Sequence, residues 1–154
     1  MAHADPEAFD LSAVLASTVV AYRDVYPQRV FEFDSNLESS AMQGSPELVI
    51  QMLDKLVDNA VGFSRKGDAI VIGLKKERDS LLLSVTNPGP PLPERMRHQM
   101  FDSMVSVRPG EDNKHLGLGL YVAKLIAEGH GGKIDAENTD GGVSFRVSFP
   151  ATPG

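Results

Sequence analysis

The sequence predicts an α/β (α+β) two-layer sandwich, one mixed, mostly antiparallel sheet covered on one face by helices. Three observations lead there. Three segments carry apolar residues at helical spacing, and strand-like runs recur in pairs around short turns, where a strictly parallel fold would need a helical crossover each time. The 154 residues, 42% of them hydrophobic, suffice for one core and not for two full domains.

The elements follow in order. Asp10 stands as an N-cap ahead of Leu11, Val14, Leu15, Val19 and Tyr22, which predicts a first helix over 10–23. Arg29 to Phe33 alternates polar and apolar residues, and Ser39 to Gln43 reads as its partner across the Asp34-Ser35-Asn36 turn, giving an expected hairpin. Ser45-Pro46-Glu47 combines a capping hydroxyl, a proline in the first turn and a carboxylate near the positive end of the helix dipole. The helix it starts is expected to reach about Ser64, with Val49, Met52, Leu53, Leu56, Ala60 and Phe63 facing the core.

Ala69 to Leu74 and Leu81 to Thr86 read as central strands around a charged turn. Asn87 to Pro93 (NPGPPLP) contains four prolines and so lacks four backbone donors, which dictates an irregular loop. Weak helical order over 94–107 gives way to the breaker-rich RPGEDNK. A helix over Leu116 to Glu128, preceded by glycines and closed by Gly131-Gly132, leads to strands at Lys133 to Glu137 and Val143 to Phe149. The expected order is α, ββ, α, ββ, loop, α, ββ, with a linker end at 1–8, one domain at 9–150 and a tail at 151–154.

Composition narrows the function. A net charge of −6 with scattered Lys and Arg disfavours a nucleic-acid surface. Zero cysteines remove disulfides and thiolate metal sites, which suits a reducing, cytoplasmic setting. The uncharged run Leu11 to Tyr22 is far short of a membrane span, so no membrane contact by this chain is expected, and the first residues lack the order of a signal peptide.

The chemistry concentrates in three places. In His115-Leu116-Gly117-Leu118-Gly119-Leu120, alternating glycines let a backbone approach a phosphate while a helix N-terminus supplies free N–H donors. Close helix packing accounts for Gly117 and Gly119 equally well. Asn59 borders an apolar helix face with Lys55 one turn before it, and a carboxamide oxygen can ligate Mg²⁺ whose other ligands are water and phosphate; a solvated helix side is the plainer reading. Asn87 with Gly89 sets a hydrogen-bonding side chain at a strand end, and alone it is only a turn.

Taken together and in this order, the segments resemble the GHKL family of histidine kinases, gyrase-type enzymes, Hsp90-like chaperones and MutL-like proteins. QMLDKLVDNAVGFS (51–64) matches the N box, NPGPPLP (87–93) the G1 box, MFDSMVS (100–106) the F box and HLGLGL (115–120) the G2 box, and the LGLGL-helix-HGG ending is that of histidine kinases. FDSMVSVR and HLGLGLY are also similar to sensor kinases linked to dedicated sortase systems of proteobacteria. The resemblance implies a Bergerat fold binding ATP with Mg²⁺ between the N-box helix and an ATP lid at 105–115. It implies that Asn59 binds Mg²⁺ and phosphates, Asn87 meets the adenine amino group and Gly89 lets the base edge approach. Phe63 and Leu92 border the base, Gly117, Leu118, Gly119 and Leu120 cradle the phosphates, and Phe101 anchors the lid. Lys55 stands where it can replace part of the phosphate contact and His115 joins the nucleotide-binding set, while the charges of Arg108 and Lys114 suit γ-phosphate contacts and ordinary lid solubility equally well.

Several positions depart from the family pattern. Asn87 replaces the usual aspartate, Pro91 the second G1 glycine, Gly62 the basic residue after the N-box asparagine, Lys55 the first N-box asparagine, His115 the first G2 glycine and Val143 a threonine that supports the adenine pocket. His3, His98, His115 and His130 lack the neighbours of a phosphoacceptor histidine. The resemblance therefore implies the catalytic domain of a histidine protein kinase, with no phosphoacceptor of its own and inactive alone in autophosphorylation. Its implied partners are a dimerisation and phosphoacceptor domain of the same parent, anchored at the inner membrane, and a response regulator; the isolated domain is expected to be a monomer. A non-catalytic signalling scaffold and an anti-sigma-type serine kinase are the rival readings.

Overall fold

A computed structural model of the chain describes residues 6–37, 40–101 and 114–152, with the side chains of His98 and of residues 114–118 outside the described set. Strand β1 (Glu7–Asp10) leads into helix α1 (Leu11–Val25), then β2 (Val30–Ser35), β3 (Ala41–Gly44), α2 (Pro46–Phe63), β4 (Ala69–Glu77) and β5 (Ser80–Pro88). A short helix α3 (Glu94–Gln99) precedes α4 (Lys114–Gly129), β6 (Lys133–Thr139) and β7 (Gly142–Pro150). The main sheet runs β2-β4-β5-β7-β6, and only the β2–β4 pair is parallel. This is the expected mixed, mostly antiparallel sheet with a helical layer. No helix among the described residues is long and apolar enough to cross a membrane.

Strand parity sets the layers, because alternate side chains of a strand face opposite sides of its sheet. Ile70, Ile72 and Leu74 of β4, Leu81, Leu83 and Val85 of β5, and Val143, Phe145, Val147 and Phe149 of β7 are all buried. They form one core with Val49, Met52, Leu53, Leu56, Val57 and Ala60 of α2 and Leu120, Ala123, Ile126 and Ala127 of α4. On the other face Val71, Gly73, Ser84, Thr86, Ser144 and Arg146 line a shallow groove. Asn87 has the parity of Val85, so it faces the helices.

The helix starts are those the capping chemistry predicts. Ser45 Oγ accepts from Leu48 N–H at 3.2 Å, and Asp10 Oδ1 accepts from Ser12 N–H at 3.1 Å. Between α1 and α2, the Tyr22 hydroxyl donates to Asp54 Oδ1 at 2.5 Å.

The expected hairpin of 29–33 with 39–43 is corrected. β2 pairs in parallel with β4, whereas β3 pairs antiparallel with β1 in a separate two-stranded sheet. The cause is Asp10: its Oδ1 accepts from both the N–H and the hydroxyl of Ser40, and Leu11 N–H donates to Ser40 O at 2.8 Å. These bonds hold the chain leaving β2 at the start of α1, and α2 becomes the crossover that a parallel β2–β4 pair requires. Strand β1 also takes in Glu7 and Ala8, and backbone bonds from Ala151 to Asp79 and from Thr152 to Ala41 tie down the start of the tail.

Candidate nucleotide site

The C-terminal half of α2, the end of β5 and the start of α4 meet at one end of the helical layer. Asn59 lies on the buried face of α2 at 6% exposure, so it is not a solvated helix side. Among the described residues neither its Oδ1 nor its Nδ2 has a hydrogen-bond partner. Leaving one buried polar group unpaired costs about 1–3 kcal/mol, and native interiors hold few such groups. A carboxamide kept this way is available to a ligand, and its oxygen fits a hard divalent cation.

Asn87, 1% exposed, pairs with Val143 across the β5–β7 ladder. Its Nδ2 donates to Pro88 O at 2.9 Å, while its buried Oδ1 has no partner among the described residues. The Pro88 carbonyl fixes the orientation, because turning the amide over would set two oxygens against each other. What Asn87 presents is therefore an acceptor, as an aspartate would, without the charge.

Gly89 follows with φ of 155°, a conformation L side chains rarely adopt, and its N–H donates to Gly141 O at 3.2 Å. A Cβ there would lie 3.5 Å from Phe63 O and 3.7 Å from Asn87 Nδ2, so backbone conformation rather than lack of space calls for glycine. Phe63, Gly89, Pro88 and Pro90 line a cavity of about 530 Å³ together with Arg65, Asp68 and Gly141. Leu92 is buried beside this loop, Phe101 packs edge-on against Phe145 at 6.0 Å, and Val143 is buried.

Helix α4 begins at Lys114, so Gly117 and Gly119 lie inside its first two turns rather than ahead of it. The free N–H donors of that end are those of the first turn, residues 114–117. Gly119 is buried where α4 meets α2, and a Cβ there would sit 3.7 Å from Lys55 Cβ, an ordinary contact. Lys55 itself is exposed and lays its stem along Gly119. Leu120 points into the core at 1% exposure, which makes it a packing residue. The side chains of Lys114, His115 and Leu118, together with Arg108, the F box past Phe101 and the lid as far as residue 113, lie outside the described residues.

Two residues to which the sequence assigns no role in the site support it. Arg29 caps the C-terminus of α2 just beyond Phe63, its Nε donating to Ser64 Oγ at 2.8 Å and its Nη2 to Val61 O and Ser64 O at 3.3 Å each. Asn138 of β6 clamps Leu92: Leu92 N–H donates to its Oδ1 at 2.7 Å and its Nδ2 donates to Leu92 O at 3.0 Å. The sequence pattern ends the strand at Glu137 and assigns Asn138 to the following turn, whereas β6 runs on to Thr139 and takes Asn138 into the ladder.

Residues 44–153 match the family of histidine kinase-, DNA gyrase B- and HSP90-like ATPases. The sensor protein ChvG of Rhizobium meliloti is 31% identical over 170 aligned residues, covering 99% of this chain and 30% of its own. The chain spans 12% to 40% of the length of the curated relatives it matches. Of solved structures, the nucleotide-free catalytic domain of histidine kinase ThkA superposes with a TM-score of 0.86 at 27% identity, over 97% of this chain and 98% of that one. ThkA in complex with the response regulator TrrA matches with a TM-score of 0.81 at 26% identity, over 96% of this chain and 42% of that one. The chain belongs to the histidine kinase-, DNA gyrase B- and HSP90-like ATPase family, in the form of the catalytic domain of bacterial sensor histidine kinases.

Proposed function

We propose that this domain binds ATP with Mg²⁺ and presents the γ-phosphoryl group to a histidine on a separate dimerisation domain of the same parent, from which a response regulator takes it. The observation that carries the reading is the set of buried carboxamide atoms on Asn59 and Asn87 that have no partner among the described residues and that a bound nucleotide and its cation would satisfy. Asn87 Oδ1 accepts from the adenine amino group while Pro88 O holds its Nδ2. Phe63 and Leu92 border the base, Gly89 admits its edge, and the first turn of α4 around Gly117 gives N–H donors to the phosphates.

Asn59 Oδ1 would hold Mg²⁺, which when bound shares the charge of the phosphate oxygens. Phosphoryl transfer asks little covalent chemistry of a protein, so the domain contributes position and electrostatics. Lys55, Arg108, Lys114 and His115 are further phosphate contacts in this reading. Response-regulator partnership is supported by the ThkA–TrrA complex, and a membrane-anchored parent with this domain on the cytoplasmic side accords with relatives named as sensors.

The test is calorimetric titration of ADP and a non-hydrolysable ATP analogue, with and without Mg²⁺, into the chain and into Asn59→Ala. Saturable binding that strengthens with Mg²⁺, and loses that Mg²⁺ gain in the variant, is expected. Silence at millimolar nucleotide would instead make the domain a signalling scaffold.

A further inference from the structure

The loop after β5 has almost no backbone with which to hold itself. Pro88, Pro90, Pro91 and Pro93 carry no N–H, so between residues 88 and 93 only Gly89 and Leu92 can donate. Both donate to the β6–β7 hairpin, Gly89 to the Gly141 carbonyl at 3.2 Å and Leu92 to the Asn138 side chain at 2.7 Å. The Asn138 amide returns a bond to Leu92 O at 3.0 Å, so one carboxamide satisfies both polar groups of that residue. Reversing the amide would break both bonds at once, so its orientation is fixed.

The next segment is pinned to the same strand, since Arg97 Nε of α3 donates to Ala136 O at 3.1 Å, two residues before Asn138. Leu92 is thereby held buried at the exit of the loop that carries Asn87 and Gly89.

We propose that Asn138 is a positioning residue for adenine recognition: its clamp on Leu92 fixes the proline-rich loop in the shape that borders the base. The proposal rests on the nucleotide reading above. Asn138 touches no part of the nucleotide and acts only through Leu92. A hydrophobic side chain of similar size leaves the strand pairing intact and removes both bonds, whereas an aspartate keeps the acceptor for Leu92 N–H and loses the donor.

The experiment measures ADP affinity by calorimetry, thermal stability, and amide hydrogen exchange at Leu92 in the wild-type chain, Asn138→Leu and Asn138→Asp. In Asn138→Leu, ADP affinity is expected to fall about tenfold, because a loop released from two hydrogen bonds must be reordered on binding, with faster exchange at Leu92 in a chain that still melts cooperatively. Asn138→Asp is expected to lie between that variant and wild type. Unchanged ADP affinity in Asn138→Leu alongside faster Leu92 exchange overturns the proposal, because the clamp would then be structural alone. If Asn138→Leu does not fold, Asn138→Asp decides, with wild-type affinity counting against. A wild-type chain that binds no ADP defeats the nucleotide reading itself, and the proposal falls with it.

Discussion

Adding one methyl group at Gly44 should destabilise the domain through a residue 86 positions away in sequence. Gly44 has no left-handed backbone angle, so alanine meets no conformational objection there. Its Cβ, however, would stand 2.2 Å from Cδ2 and 2.6 Å from Nε2 of His130. That ring cannot swing aside freely. Nε2 accepts from Ser45 N–H at 3.1 Å, which leaves the proton on Nδ1 to be donated to Ile126 O at 2.8 Å, and the ring meets Phe149 edge-on at 5.8 Å.

His130 thus ties the last turn of α4 to the N-cap of α2. Overpacking costs about 1–3 kcal/mol. Rotating the ring away would instead forfeit two bonds of roughly 0.5–1.5 kcal/mol each and strand the N–H of buried Ser45. The cheaper route sets the cost, about 1–3 kcal/mol, or roughly 3–10 °C in Tm for a domain of this size. Urea unfolding of Gly44→Ala, His130→Ala and the double variant is the assay. With the ring removed the methyl should cost almost nothing, so the cycle should show about 2 kcal/mol of coupling. A single variant within about 0.5 kcal/mol of wild type, or effects that simply add, would refute the linkage.

Two further outcomes follow from the same geometry. Burial first, and then the Asp54 carboxylate, raises the Tyr22 pKa above its ordinary value, and Tyr26 is raised by burial and by Asp58 and Asp54. An unfolded tyrosine ionises near pH 10 while the folded one keeps its proton, so this stability is whole below about pH 10 and declines above it, by at most about 1.4 kcal/mol per pH unit for Tyr22. Urea unfolding between roughly pH 9 and 11 should show a shallower decline in Tyr22→Phe, and equal slopes would contradict the assignment. Gly142→Ala would place a Cβ 2.3 Å from Asn87 O and 3.2 Å from Pro88 Cα, both backbone atoms, so the β5–β7 ladder must part beside Asn87. A loss of more than about 2 kcal/mol together with weaker ADP binding is expected, and a variant that keeps its stability would count against the close approach.

Whatever depends on near neighbours could be read from the residues alone. Capping at Asp10 and Ser45, the three-four stripe of α2, the β4–β5 and β6–β7 hairpins and the proline-dictated loop were legible because each is settled within a few residues. Motif order then named the family and marked Asn59, Phe63, Asn87 and Gly89. Tertiary structure decided the rest. Pairing of β2 with β4 and of β3 with β1 rests on Asp10 reaching Ser40, 30 residues away, which no local pattern encodes. Helix α4 begins at Lys114, two residues ahead of the expected start, so both glycines of the phosphate motif lie within its turns. Asn138 on Leu92, Arg29 on the end of α2 and His130 between two helices are side-chain bonds to backbone groups of remote segments. Periodicity reports which face of an element is buried, but hydrogen bonds between distant segments depend on where the whole chain has come to lie.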